Sequence, residues 1–231
     1  VPRIAIKINA TDKIRFKGAV GMYSQNLISS KSDKDIVNFF TGFLTAPDFE
    51  IQKPDGTYAN NNIQKAYHIV GGVEVDIKDL EFTLEPWYKY FGQLITINRY
   101  KLLATDPDYS IETGKAYGID FTTKYAKGRY YFWGVYSYGY VDRNDGVQTY
   151  PTPFDRRHNV NILASYTAGK KYDWEFSIRF NYGSPFPFTQ TQSFYQGTNF
   201  NNGINTNYLT QNGTLGLLYA DQINGGRLSA Y

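Results

Sequence analysis

The sequence predicts an all-β chain: about eight long antiparallel strands forming a segment of a larger transmembrane β-barrel, with short periplasmic turns and long extracellular loops. Three observations predict it. Segments alternating apolar and polar side chains recur along most of the 231 residues, the period-two pattern of a strand. Within these segments one face is almost free of charge and the other carries nearly all of it. Short connections alternate with long polar ones, as they do in outer-membrane barrels.

The strands read in order. Ile4, Ile6 and Ile8 oppose Arg3, Ala5, Lys7 and Asn9. Ile14, Phe16, Gly18 and Val20 then oppose Arg15, Lys17 and Ala19. In the third segment Tyr67, Ile69, Gly71, Val73, Val75 and Ile77 lie opposite His68, Val70, Glu74 and Asp76. The fourth sets Leu80, Phe82, Leu84, Tyr88 and Tyr90 against Glu81, Thr83, Glu85 and Lys89. Tyr117, Ile119, Phe121, Thr123 and Tyr125 make the fifth apolar face, opposite Gly118, Asp120, Thr122 and Lys124. Residues 130–140 are ambiguous, because Trp133 and Val135 oppose Phe132, Tyr136 and Tyr138. Val160, Ile162, Ala164 and Tyr166 follow, opposite Asn159, Asn161 and Ser165. Last, Trp174, Phe176, Ile178, Phe180 and Tyr182 oppose Glu175, Ser177, Arg179 and Asn181.

These segments run to about ten residues or more, as a tilted bilayer-crossing strand requires, whereas sandwich strands average about 5–6. Several apolar faces begin or end in Tyr or Trp, matching the aromatic girdles of a barrel in a chain with 22 Tyr, 16 Phe and 3 Trp. The short connections are residues 10–13, Lys78-Asp79, Lys127-Gly128-Arg129 and residues 168–173; the long ones are 26–64, 92–114, 142–157 and 183 onward. With the short turns periplasmic, the first strand starts and the eighth ends at the outer face. A complete bacterial barrel normally has both ends in the periplasm, so an internal window of a larger barrel is expected.

Composition narrows the function classes. A net charge of +3, from 24 basic and 21 acidic residues, gives no sign of a nucleic-acid partner. The absence of Cys excludes a disulfide scaffold, a Cys zinc site and thiol catalysis. No apolar run approaches the ~18 residues of a membrane helix, and the opening Val-Pro-Arg lacks the pattern of a signal peptide.

At residues 150–159, Tyr-Pro-Thr-Pro-Phe-Asp-Arg-Arg-His-Asn, followed by a strand and a Gly-Lys-Lys turn, the sequence resembles TonB-dependent outer-membrane receptors of the Bacteroidota. Residues 181–190 (Asn-Tyr-Gly-Ser-Pro-Phe-Pro-Phe-Thr-Gln), 17–26 and 226–231 resemble the same family. The resemblance implies a barrel of about 22 strands around an N-terminal plug, consistent with the plugged large barrels. It also implies uptake of a scarce nutrient across the bacterial outer membrane, driven through TonB. Residues 1–231 would be a partial barrel domain without the plug. The implied partners are outer-membrane lipid and the TonB complex through the missing plug region, while the outer-loop aromatics leave open a ligand or a surface lipoprotein over the mouth.

Candidate site residues fall in three groups. Asp155, Arg156, Arg157 and His158 are the densest charged cluster. Two guanidinium forks there could hold an anionic ligand at the barrel mouth, or Asp155 could pair with one Arg and fix the loop. Arg3, Lys7, Arg15, Lys17, Glu74, Asp76, Glu81, Glu85 and Arg179 line the charged face, as a substrate path or plug contact, or as cross-strand pairs bracing the wall. Phe39, Phe40 and Phe43, with Phe186, Phe188, Phe194, Tyr195 and Phe200, are outer-loop aromatics suited to a ligand or capping partner, or to packing the loops themselves. The Asn-rich run 199–207 reads as a solvated loop.

Enzymatic chemistry has no support in the motifs. Residues 142–146 (Asp-Arg-Asn-Asp-Gly) resemble a calcium loop faintly but lack the distal Glu. His68 and His158 have no partners at metal-ligand spacing. Glu81 and Glu85 share a strand face about 13 Å apart, too far for a glycosidase pair. The expectation is no enzyme, no metal and no cofactor. Two other readings stay open: an extracellular β-rich module gripping a glycan through its aromatic loops, and a small structural outer-membrane barrel.

Overall fold

Period-two alternation puts the two chemistries of a strand on opposite faces, and the register decides which residues of neighbouring strands share a face. The computed structural model describes residues 2–29, 43–45, 51, 53, 55, 57–98, 105–196 and 215–229. Among these residues the strands are β1 (Arg3–Asn9), β2 (Ile14–Gln25), β3 (Leu27–Ser29), β4 (Phe43–Thr45) and β5 (Gln64–Ile77). There follow β6 (Leu80–Ile97), β7 (Tyr109–Lys127), β8 (Tyr130–Asn144), β9 (Thr149–Pro151) and β10 (His158–Ala168). The last are β11 (Trp174–Gly183), β12 (Pro187–Phe188), β13 (Thr191–Gln196), β14 (Leu215–Tyr219) and β15 (Gly226–Arg227).

The eight segments expected from alternation are β1, β2, β5, β6, β7, β8, β10 and β11. They form one antiparallel sheet in that order, with β9 added beside β8. Its register carries one apolar face across the sheet: Ile4 pairs with Val20, Val20 with Ile69, Ile69 with Tyr88, Tyr88 with Tyr117 and Tyr117 with Tyr140. On the other side Tyr136 pairs with Val160, and Val160 with Tyr182. The ambiguous strand is thereby resolved. Tyr136 faces Phe121 and Val160, so Phe132, Tyr136 and Tyr138 join the apolar face. Trp133 sits between Lys124 and Leu163 on the charged one.

The apolar face is uncovered. Ile6 and Phe176 are each 60% exposed and Ile178 is 74% exposed. Val73 and Phe82 are half-buried by neighbours in their own sheet. No second layer of described residues lies over this face, as a soluble sandwich would require. The sheet edges β1 and β11 are not paired with each other, so the described sheet is open rather than a closed barrel.

The strands exceed their expected bounds at the long-connection end. β6 has 18 residues and β7 has 19, and both run into the stretch expected to be loop. The other long connections also hold short ladders: β3 with β4, β12 with β15, and β13 with β14. In β6 and β7 alternation fades there: the β6–β7 register shifts between Phe91 and Leu94, and adjacent residues such as Ile111 and Glu112 are both buried.

The short ends are tight turns. Lys78 (φ 56°) and Gly128 (φ 58°) open the β5–β6 and β7–β8 turns in the left-handed region. Gly adopts this at no steric penalty, whereas Lys78 is disfavoured there by about 1–2 kcal/mol. Among the described residues the buried hydrophobic cluster lies at the opposite end, where Ile28, Ile51, Ala59, Ile95 and Ile111 come together with Tyr109 against them.

Candidate functional site

The connection after β9 turns sharply. The Thr152 amide donates to the Val141 carbonyl at 3.0 Å, and the Asp155 amide to the Thr152 carbonyl at 2.9 Å. That turn aims the Asp155 side chain inward, where it is fully buried. Its Oδ1 accepts the Val141 N–H at 2.9 Å; its Oδ2 faces Arg157 Nε at 3.1 Å and accepts from Arg227 Nη2 at 2.7 Å. Arg227 Nη1 also donates to the carbonyls of Asp155 (3.3 Å) and Pro185 (3.0 Å). A buried carboxylate is tolerable only when paired and hydrogen-bonded, and Asp155 is both.

The neighbouring residues are likewise engaged. Arg157 lies 3.6 Å over the Tyr140 ring and Arg156 4.3 Å over that of Phe186. Gly183 makes room for Arg156, since a Cβ there would come within 2.6 Å of its Nε. His158 Nδ1 meets the Tyr136 hydroxyl at 2.9 Å, and its backbone exchanges hydrogen bonds with Ser184. The geometry therefore gives the Asp-Arg-Arg-His group the means to lock the loop after β9 against the segment after β11. Asp155 uses Arg157 together with Arg227, a residue outside the sequence motif.

A second buried acid was not singled out by the sequence. Glu112, 1% exposed, accepts from the Tyr150 hydroxyl at 2.7 Å and from Thr96 at 3.2 Å, with Arg143 at 3.8 Å. Its signal was weak because it lies in the outer extension of β7, where alternation had faded.

The charged face of the sheet is braced by ion pairs. Glu74 on β5 is met by Lys7 at 3.3 Å, Arg15 at 2.8 Å and Lys17. Arg15 also reaches Asp76, and Lys17 reaches Glu85 at 3.7 Å. Glu81 pairs with Lys124 at 3.4 Å. Arg179 on β11 is exposed and makes no ion pair with a described residue.

The outer aromatics divide. Phe186 and Phe188 are half-buried, whereas Phe194 and Tyr195 on β13 are 66% and 57% exposed. Phe39, Phe40, Phe200 and the run 199–207 lie outside the described residues, as does the side chain of Phe43. In the 142–146 stretch, Asn144 Oδ1 accepts the Gly146 amide at 2.8 Å and Asp145 Oδ1 those of Val147 and Gln148, which is the bonding of a turn. Among the described residues no three His, Asp or Glu side chains gather at metal-ligand spacing. No protein-family model matches this chain, and no curated protein does.

Proposed function

We propose that this chain is part of the barrel wall of a TonB-dependent outer-membrane receptor, a transporter that takes up a scarce nutrient. The observation that carries the reading is the uncovered apolar face running through eight hydrogen-bonded strands, back to back with an ion-paired polar face. In water such a face would be an aggregation surface; in hydrocarbon it is the ordinary exterior of a barrel strand. The alternation of tight turns with long, partly folded connections supports the same reading, and the motif at residues 150–159 supports the family. In this reading the strands of the parent protein beyond β1 and β11 complete the barrel, and the charged face lines its lumen.

Residues 1–231 contain no Cys, so the labelling background is a parent protein with any Cys outside them replaced by Ser. Single Cys substitutions from residue 174 to 182, made in the parent protein in its native membrane, should alternate. Positions 176, 178 and 180 should react with a bilayer-confined reagent, and 175, 177 and 179 with a water-soluble one. Uniform labelling by the water-soluble reagent along β11 would end the membrane reading.

A further inference from the structure

Toward the long-connection end of the polar face, on β1, β2, β5 and β6, the described charged residues are basic and no acid stands beside them. Arg3, Gly21, His68 and Lys89 form one cross-strand row over β1, β2, β5 and β6. Lys7, Arg15 and Lys17 each find a carboxylate, but Arg3 and Lys89 make no ion pair with a described residue. Aromatic rings hold them instead. Arg3 lies 4.2 Å over Tyr23, Tyr23 stacks on His68 at 4.2 Å, and Lys89 Nζ stands 5.3 Å over Trp87. Gly21 is the floor: a Cβ there would come within 3.1 Å of the Arg3 stem and of the Tyr23 ring. The next row holds Ala5, Ala19 and Val70, which line a depression of about 360 Å³ with Lys7, Lys17 and Glu85 at its far rim.

We propose that this cluster is a subsite for an anionic small molecule, a carboxylate or phosphate carried on an apolar or planar body. A carboxylate partner would occupy the donors of a guanidinium; a ring beneath it fixes its plane and leaves the N–H edge free for a ligand. The small side chains of the adjoining row leave space for the body of the molecule, and the depression falls within the usual range of small-molecule sites. The inference rests on the proposed barrel in one respect, that this face borders an aqueous path.

The test uses the parent protein in neutral detergent, with 1-naphthoate, 1-naphthyl phosphate and the neutral 1-naphthamide as probes followed by fluorescence. At least one anion should bind more tightly than the amide, and which one binds distinguishes carboxylate from phosphate. The double substitution Arg3→Gln with Lys89→Gln should weaken that binding about tenfold or more, whereas the charge-matched Lys170→Gln with Lys171→Gln, in the turn before β11, should change it by less than about twofold. Equal weakening by both pairs, or equal binding of the amide, overturns the subsite. The β11 labelling pattern is read separately, so loss of the subsite and loss of the membrane reading are distinguishable.

Discussion

Arg227 donates from Nη2 to Oδ2 of Asp155 at 2.7 Å, across 72 residues of sequence. This bond joins the connection before β10 to a segment well beyond β11, and Asn224 reinforces it by donating to the Pro151 carbonyl at 2.8 Å. Removing the Asp155 carboxylate takes Oδ2 from Arg157 and from Nη2 of Arg227, whose Nη1 keeps its two carbonyls, and takes Oδ1 from the Val141 amide. Asp155→Ala should therefore destabilise the outer assembly by about 1–3 kcal/mol, the penalty of leaving a buried donor unsatisfied, since both guanidiniums stay partly in water. Limited proteolysis should cut within residues 145–157 faster in this variant, and unchanged protection would contradict the latch.

The Glu112 network makes a smaller, cleaner prediction. Tyr150→Phe deletes one hydroxyl from a buried, charge-assisted hydrogen bond and leaves the ring in place. The expected loss is about 1.5–3 kcal/mol by urea titration of the protein in vesicles. A loss below about 0.5 kcal/mol, the range of a neutral surface change, would show that the hydroxyl is not needed there.

Two glycines on opposite faces should behave differently. A Cβ at Gly118 would run into the Tyr138 carbonyl and lie 2.7 Å from the Trp87 ring, whereas at Gly18 nothing lies within 4 Å. Gly118→Ala should destabilise by about 1–3 kcal/mol through overpacking, while Gly18→Ala stays within about 0.5 kcal/mol. The urea midpoints of the two variants make the comparison.

Glu74 gathers three cations at a partly wetted site. Exposed pairs contribute little, so Glu74→Gln should lower stability by about 1 kcal/mol. That difference should shrink in 1 M salt, where the screening length falls to about 3 Å. A difference that persists at high salt would point to packing rather than charge.

Asp142, at the outer end of β8, has its carboxyl pushed above the ordinary carboxylate range, chiefly by burial and against the pull of Arg157. The folded chain therefore holds this proton to higher pH than the unfolded chain does. Its contribution to stability is present at low pH and is lost as pH rises through the raised folded value. Asp142→Asn should remove that slope and raise the urea midpoint at neutral pH. An unchanged slope would assign the pH dependence to another group.

Much of the sheet was legible because alternation is a local property. Ile4, Ile6 and Ile8 announce β1, whose bounds are Arg3–Asn9, without reference to any other residue. The extensions of β6 and β7 were not legible, since a register shift between Phe91 and Leu94 breaks the alternation and the adjacent Ile111 and Glu112 are both buried. Trp133 shows the limit within a strand. Both faces of β8 carry aromatics, and only pairing with Lys124 and Leu163 assigns it to the charged one.

By itself the sequence determined where the eight long strands lie, the two-faced chemistry of all of them but β8, and the sites of the tight turns, because each is set by residues within a few positions of one another. The tertiary structure alone decided that no second layer covers the apolar face, that Asp155 binds Arg227, and that Glu112 is buried against Tyr150. These are contacts between distant segments, and no local periodicity encodes which loop meets which.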